Sequence, residues 1–183
     1  MSRDAVLALL RRYAARPLDA HEAAMTAAIS KFAETHVDCL WRSQLLGHLT
    51  GSAWVVDASR RRTLLTHHEK LDKWLQLGGH ADGDPDLLAV ALREAREESG
   101  LTRLRPVTGE IFDVDCHRIP ARGAEPEHWH FDLRFMIEAD PDEPLTVSSE
   151  SKDLAWVDVT RVPALNAEES MGRMVRKTLA GLS

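Results

Sequence analysis

Residues 79–101 read Gly-His-Ala-Asp-Gly-Asp-Pro-Asp-Leu-Leu-Ala-Val-Ala-Leu-Arg-Glu-Ala-Arg-Glu-Glu-Ser-Gly-Leu. A glycine-bearing turn runs here into a helix that closes on Gly100, the residue type suited to the left-handed closing position. Asp84 before Pro85 predicts the helix start, an acceptor side chain followed by a residue that needs no donor. At about 100° per residue, Leu88, Ala91, Leu92 and Ala95 share one side, and Glu94, Glu97 and Glu98 fall within an arc of roughly 100° beside it. One edge of the helix is thus tied to a core while three carboxylates project past it. Glu94 and Glu98 stand one turn apart with like charge, which costs a few tenths of a kcal/mol on a bare helix. A hard divalent cation such as Mg²⁺ or Mn²⁺ would relieve that repulsion. A solvated acidic face is the alternative, and spacing alone does not separate the two. Arg93 is one turn from Glu97 and is placed to hold it.

Around this segment the pattern alternates between helix and strand. Val6, Leu7, Leu9, Leu10 and Tyr13 line a first helix that Pro17 would stop. Asp19 followed by Glu22 has capping-box character, and Met25, Ile29 and Phe32 recur at helical spacing. These helices read as a hairpin packed on the main domain, with a homodimerisation arm as the alternative. Ser52 to Asp57 and Thr63 to His67 read as strands around a turn, and further strands are expected at about 107–117, 128–138 and 154–157. Asn166 with Glu169 resembles a helix start, and Met171, Met174, Val175 and Leu179 supply an apolar stripe. This order indicates an α/β sandwich.

With 183 residues, one domain with a small appendage is expected. The predicted division is an N-terminal helical extension at 1–45 and a main domain at 46–183. No transmembrane span or secretory leader is visible. Cys39 and Cys116 are the only cysteines, too few for a disulfide framework or a cysteine zinc site, so a cytoplasmic location is expected. A net charge of −6 argues against wholesale nucleic-acid binding without excluding a small phosphorylated substrate.

Gly79, Arg93-Glu94, Glu97-Glu98 and Gly100-Leu101 resemble the signature of the Nudix hydrolases, Gly-x5-Glu-x7-Arg-Glu-U-x-Glu-Glu-x-Gly-U with U apolar. Six of the seven named polar or glycine positions match at unbroken spacing, and Ala95 and Leu101 satisfy the apolar ones. The looser likeness runs from about residue 50 to 180 and leaves out the N-terminal helices. Pro85 replaces the first glutamate of the pattern, with Asp84 and Asp86 nearby but out of register, and Leu77 stands where many members have a proline. The resemblance implies a Nudix-like α/β/α sandwich with a mixed central sheet. It implies that Glu94, Glu97 and Glu98 bind the metal, with the Gly79 carbonyl as a further ligand and Arg93 as orienting partner. It also suggests Glu150, in the acidic loop before the last strand, as general base, with Glu97 as its rival.

Three other groups draw notice. His128, His130, Asp132 and Arg134 alternate with Trp129, Phe131, Leu133 and Phe135, giving a strand one polar and one apolar face. That polar face could bind zinc, could be lined by structural cross-strand partners, or could border the cleft and contact substrate through His128, His130 and Asp132. Lys73 and Trp74, just before the glycine turn, could meet a phosphate and stack a base, although Trp74 suits a core anchor equally. Cys39 and Cys116 read as small buried hydrophobes.

The expected activity is metal-dependent hydrolysis of a diphosphate linked to another moiety, usually a nucleoside, by a water whose proton a carboxylate removes. The rivals are a non-hydrolytic nucleotide-binding module, a prenyl diphosphate isomerase, and an enzyme that removes pyrophosphate from RNA 5′ ends.

Overall fold

The computed structural model describes residues 3–123, 125–149 and 151–181. In chain order the elements are α1 (Asp4–Ala14), α2 (Ala20–Thr35), β1 (Gly47–Val56), β2 (Arg62–His68), β3 (Lys73–Leu75), β4 (Leu77–His80), α3 (Leu87–Ser99), β5 (Arg105–Pro106), β6 (Asp113–Ile119), β7 (His128–Glu138), β8 (Ser151–Asp158), a 3-10 turn (Val159–Arg161), α4 (Val162–Leu165) and α5 (Glu169–Ala180). The described residues form two compact units, one drawn from 1–52, 79–91 and 109–135, the other from 53–78, 92–108 and 136–183.

In the first unit the strands neighbour one another as β4-β1-β7-β6. β6 runs antiparallel to β7 with Asp113 opposite Arg134 and His117 opposite His130. The two N-terminal helices pack in this unit. Val6, Leu7, Leu10 and Tyr13 recur on one side of α1 and are buried, as are Met25, Ile29 and Phe32 on α2. Phe32 stacks on Phe131 of β7 with ring centroids 4.2 Å apart, and Arg16 donates to the Ile111 carbonyl at 2.8 Å. Each such apolar side chain contributes about 1.5–3 kcal/mol when fully buried. Asp19 caps α2 as expected, accepting from the Glu22 amide at 2.8 Å. The Glu22 carboxylate, however, accepts from the Tyr13 hydroxyl, so it ties α2 to α1. Burial first, and this acceptor next, push the Tyr13 phenol well above its ordinary range.

The second unit orders its strands β3-β2-β1-β7-β5, with β8 along β2. β2 and β8 pair antiparallel from Arg62 opposite Asp158 to His68 opposite Ser151. Trp54 is fully buried, and its indole N–H finds a buried partner in the Thr178 hydroxyl of α5 at 2.9 Å. α5 presents Met171, Met174 and Val175 to the core at helical spacing. The sheet pairing is mixed. Leu46 accepts from the Trp129 amide and Val56 from the Ala139 amide, so β1 and β7 advance in the same direction.

Boundaries moved where polar residues turned inward. β1 starts at Gly47 rather than Ser52, because His48 and Thr50 are buried polar members of the strand. The strand expected at 107–117 is the later Asp113–Ile119, with Arg105–Pro106 pairing separately. The expected last strand lengthens to Ser151–Asp158. Asn166 accepts from the Glu168 amide at 2.9 Å, so it shapes the turn before α5 instead of capping the helix. Cys39 is fully buried, whereas Cys116 is only half-buried, its thiol facing the Met25 carbonyl. Among the described residues no helix is long and apolar enough to cross a membrane.

Candidate metal and phosphate site

Helix α3 supplies the acidic side chains. Its start lies two residues later than Asp84-Pro85 suggests. Asp86 accepts from the Ala89 amide at 3.0 Å and is the capping residue, while Asp84 accepts from the Asp86 amide at 2.9 Å and closes a turn around Pro85. The buried side also rotates from expectation: Leu87, Val90, Ala91 and Ala95 are fully buried, whereas Leu88 and Leu92 are only partly so. In the first unit the start of α3 lies close on β1. A Cβ at Gly51 would stand 2.6 Å from the Leu87 carbonyl oxygen.

The far end of α3, in the second unit, fixes where the carboxylates point. Gly100 takes φ of 75°, and its amide donates to the Arg96 carbonyl at 2.8 Å. The Thr146 amide then donates to the Ser99 carbonyl at 2.7 Å, seating the acidic loop on the helix terminus. Glu143 anchors the same loop by accepting from the Thr102 amide at 2.8 Å and from the Thr102 hydroxyl at 2.6 Å. These hydrogen bonds, with those from Arg103, hold the Glu143 carboxyl down to about 2. Seated this way, the loop brings Ser148 against Glu94, Glu97 and Glu98, and the four residues line a cavity of 220 Å³.

Within that cavity the Glu94 carboxylate pairs with Arg93 at 2.8 Å. The guanidinium therefore orients Glu94, where the sequence placed it against Glu97. Glu98 accepts from the Gly78 amide at 3.3 Å, which ties the glycine turn to the helix. Glu97 is exposed. Gly79 is half-buried and belongs to the first unit, so the candidate oxygen donors gathered within one unit are those of the three glutamates. Glu150 lies outside the described residues. A larger cavity of 460 Å³ in the second unit is lined by Arg103, Arg105, Glu138 and Asp140. Its cations are already paired, Arg103 with Asp140 and Arg105 with Glu138, and it gathers no carboxylate cluster.

The other expected substrate contacts fall into separate groups. In the second unit Lys73 pairs with Glu168 at 2.5 Å. The Trp74 ring stacks on His67 with centroids 5.1 Å apart. In the first unit Asp132 is 1% exposed and accepts from Thr50 at 2.8 Å, from Ser52 at 2.8 Å and from Arg134 at 2.9 Å. The polar face of β7 is thus an interior face. Its lower half, Asp132 and Arg134, belongs to a buried ion network. Its upper half, His128 and His130, meets His48, His80 and His117. Burial above all, then neighbouring cationic groups, pushes His48 and His80 down to about 4 and His130 to about 2. These three rings are neutral at neutral pH. The sequence reading missed His48, His80 and His117 as members of this group, as it missed Ser148. His80 stands inside the glycine turn and was the one visible signal.

A family model, NUDIX domain, matches residues 48–178. Among solved structures, a C. elegans Ap4A hydrolase complex is 18% identical over 73% of this chain and 96% of its own, with a TM-score of 0.59. The E. coli dihydroneopterin triphosphate pyrophosphohydrolase is 16% identical over 73% of this chain and 95% of its own, at 0.57. A Nudix hydrolase from M. smegmatis is 18% identical over 75% of this chain and 89% of its own, at 0.55. No curated protein matches the chain. Identities this low speak to the fold alone, which is the α/β fold that strand order and helix placement had indicated. The family match spans most of the chain and takes in the whole glycine turn and acidic helix, and on that ground the chain belongs to the Nudix family of pyrophosphate-bond hydrolases.

Proposed function

We propose that the chain is a metal-dependent pyrophosphohydrolase that cleaves a nucleoside diphosphate linked to a second moiety, with Mg²⁺ or Mn²⁺ held by Glu94, Glu97 and Glu98. The observation that carries this reading is the 220 Å³ cavity that three glutamates of one helix line together with Ser148. Its donor set is all oxygen, the chemistry that suits small hard cations which keep several waters. When bound, such an ion would neutralise charge on phosphoryl oxygens and acidify a water.

The chain's own residues do the rest. Arg93 fixes Glu94, and the Gly78 amide fixes Glu98. Exposed Glu97 can accept the proton of an attacking water, and Glu150 is its rival for that task. Two of the structural neighbours act, by name, on Ap4A and on dihydroneopterin triphosphate. A string of phosphates on an organic group is the element those names share, and it contains the kind of bond proposed here to be cleaved.

Glu98→Gln tests the reading. Losing one of three anionic ligands should lower kcat on a panel of nucleoside diphosphate derivatives by at least about 100-fold, since metal stabilisation of phosphoryl charge is worth several kcal/mol. It should also weaken Mn²⁺ binding measured by electron paramagnetic resonance. Unchanged hydrolysis and unchanged Mn²⁺ affinity would refute the site. Comparing Glu97→Gln with Glu150→Gln at saturating Mn²⁺, where both variants hold the metal, then identifies the base as the one whose loss collapses kcat.

A further inference from the structure

The first unit gathers five imidazoles that the proposed hydrolysis does not use. β7 places His128 and His130 on one face by its period of two, β6 sets His117 opposite His130, and β1 and β4 add His48 and His80. The His48 ring centroid lies 5.0 Å from those of His80 and His128 and 4.9 Å from that of His130. His48 is 2% exposed, yet among the described residues neither of its ring nitrogens has a hydrogen-bond partner. A neutral imidazole carries one N–H donor and one lone pair. Burying both without partners is a cost that native interiors rarely carry unless another group satisfies them.

The neighbours of His48 are arranged as ligands are. His128 Nδ1 lies 2.9 Å from the Pro126 carbonyl oxygen, which places the proton on Nδ1 and leaves the Nε2 lone pair facing inward. Imidazoles that bind metals characteristically donate their other N–H in this way. His128 Nε2 and His130 Nε2 stand 3.3 Å apart. Two nitrogens bound at 2.0–2.1 Å to one tetrahedral ion are separated by about 3.3 Å. Ring nitrogens of His48, His128 and His130 all lie within 4.8 Å of one another. Glu125 Oε1, 3.8 Å from His128 Nε2, stands within reach of a fourth position.

We propose that His48, His128 and His130 form a binding site for a borderline transition ion of the Zn²⁺ class, chemically distinct from the glutamates of α3. Nitrogen donors select such ions, whereas an all-oxygen set favours Mg²⁺ or Mn²⁺. The site joins β1 to β7, so its first consequence is structural. It ties together two strands whose ligand residues are 80 or more positions apart in the chain.

Cobalt is the probe. The full chain, stripped of metal and then saturated with Mg²⁺ to occupy the carboxylates, is titrated with Co²⁺. One equivalent should bind with the intense visible absorption of a four-coordinate ion, and one equivalent of Zn²⁺ should abolish that absorption. Zn²⁺ should also raise the melting temperature in the presence of Mg²⁺. His48→Gln and His130→Gln should each weaken Co²⁺ binding by at least about 100-fold, since even outer partners of a metal site are worth 10–100-fold. Glu98→Gln should leave it unchanged. If His48→Gln does not fold, His130, which is less buried than His48, and the wild-type titration decide the matter. Absorption no stronger than that of the aqueous ion in the wild type would overturn the proposal. So would absorption that survives in both histidine variants or disappears in Glu98→Gln. The readout is independent of hydrolysis, so its failure leaves the pyrophosphohydrolase reading untouched.

Discussion

Arg134→Met exposes how strongly the interior of the first unit depends on one cation. Arg134 is 2% exposed. Its guanidinium lies 2.9 Å from Asp132, 3.2 Å from Asp115 and 3.3 Å from Asp113. Burial alone would lower its pKa, but the three aspartates outweigh burial and the net shift is upward. Methionine keeps much of the volume and removes the charge. Asp113 and Asp132, at 0% and 1% exposed, would then lie in the interior without their counter-ion. Removing one partner of a buried pair costs about 3–5 kcal/mol, because the remaining charge cannot be resolvated. For a chain of this size each kcal/mol shifts Tm by about 2–4 °C, so a fall of roughly 6–20 °C is expected. The loss should be partly reversible. In Arg134→Met with Asp132→Asn, the amide oxygen can still accept from Thr50 and Ser52, and one stranded charge is gone. The double variant should therefore be at least about 1 kcal/mol more stable than the sum of the two single losses. Urea melts of the wild type, both single variants and the double variant measure all four corners. A loss under about 1 kcal/mol for Arg134→Met, or strict additivity, would refute the argument.

Two predictions concern the loop that places Ser148. Gly100→Ala should cost about 1–2 kcal/mol, from a left-handed φ of 75° and from a methyl only 2.8 Å from Thr146. It should also lower kcat if the loop must sit on the helix end; full activity at reduced Tm would separate the loop from catalysis. Glu143 should titrate near 2 when its carboxyl carbon is followed by NMR. Its folded pKa is depressed, so its contribution to stability is present above its ordinary value of 4.5 and is lost as pH falls toward 2. A midpoint at or above 4.5 would show that Thr102 and Arg103 do not hold it.

Local signals in the sequence carried most of the fold. Asp19 before a run with Met25, Ile29 and Phe32 at helical spacing marks α2, and Asp19 does cap it. The alternation from His128 to Phe135 marks β7, which runs over the expected His128–Glu138. Errors arose where a polar side chain had two plausible jobs. Asp84 reads as a helix cap, but a proline after it favours the tight turn in which Asp84 serves the Asp86 amide, and the cap passes to Asp86. Glu22 completes a capping box on paper, but a buried phenol nine residues earlier claims its carboxylate. In each case the competitor was either a turn geometry two residues away or a tertiary contact, and periodicity registers neither.

The functional groups divide along the same line. Glu94, Glu97 and Glu98 come from one helix, so their grouping is a matter of 3.6-residue spacing and is legible in the chain itself. Ser148 joins them only because Gly100 and Glu143 seat its loop, a tertiary event with no period. The histidines are the extreme case. His128 and His130 are visible as a pair, but His48 enters through strands β1 and β7 running side by side, and Asp132 joins an ion network instead because β6 brings Asp113 and Asp115 to Arg134 on the same face. A polar strand face reads identically in sequence whether it meets solvent, an ion network or other imidazoles. Pairing register decides which, and on β7 two residues are enough to pass from a cluster of imidazoles to a network of aspartates around one arginine.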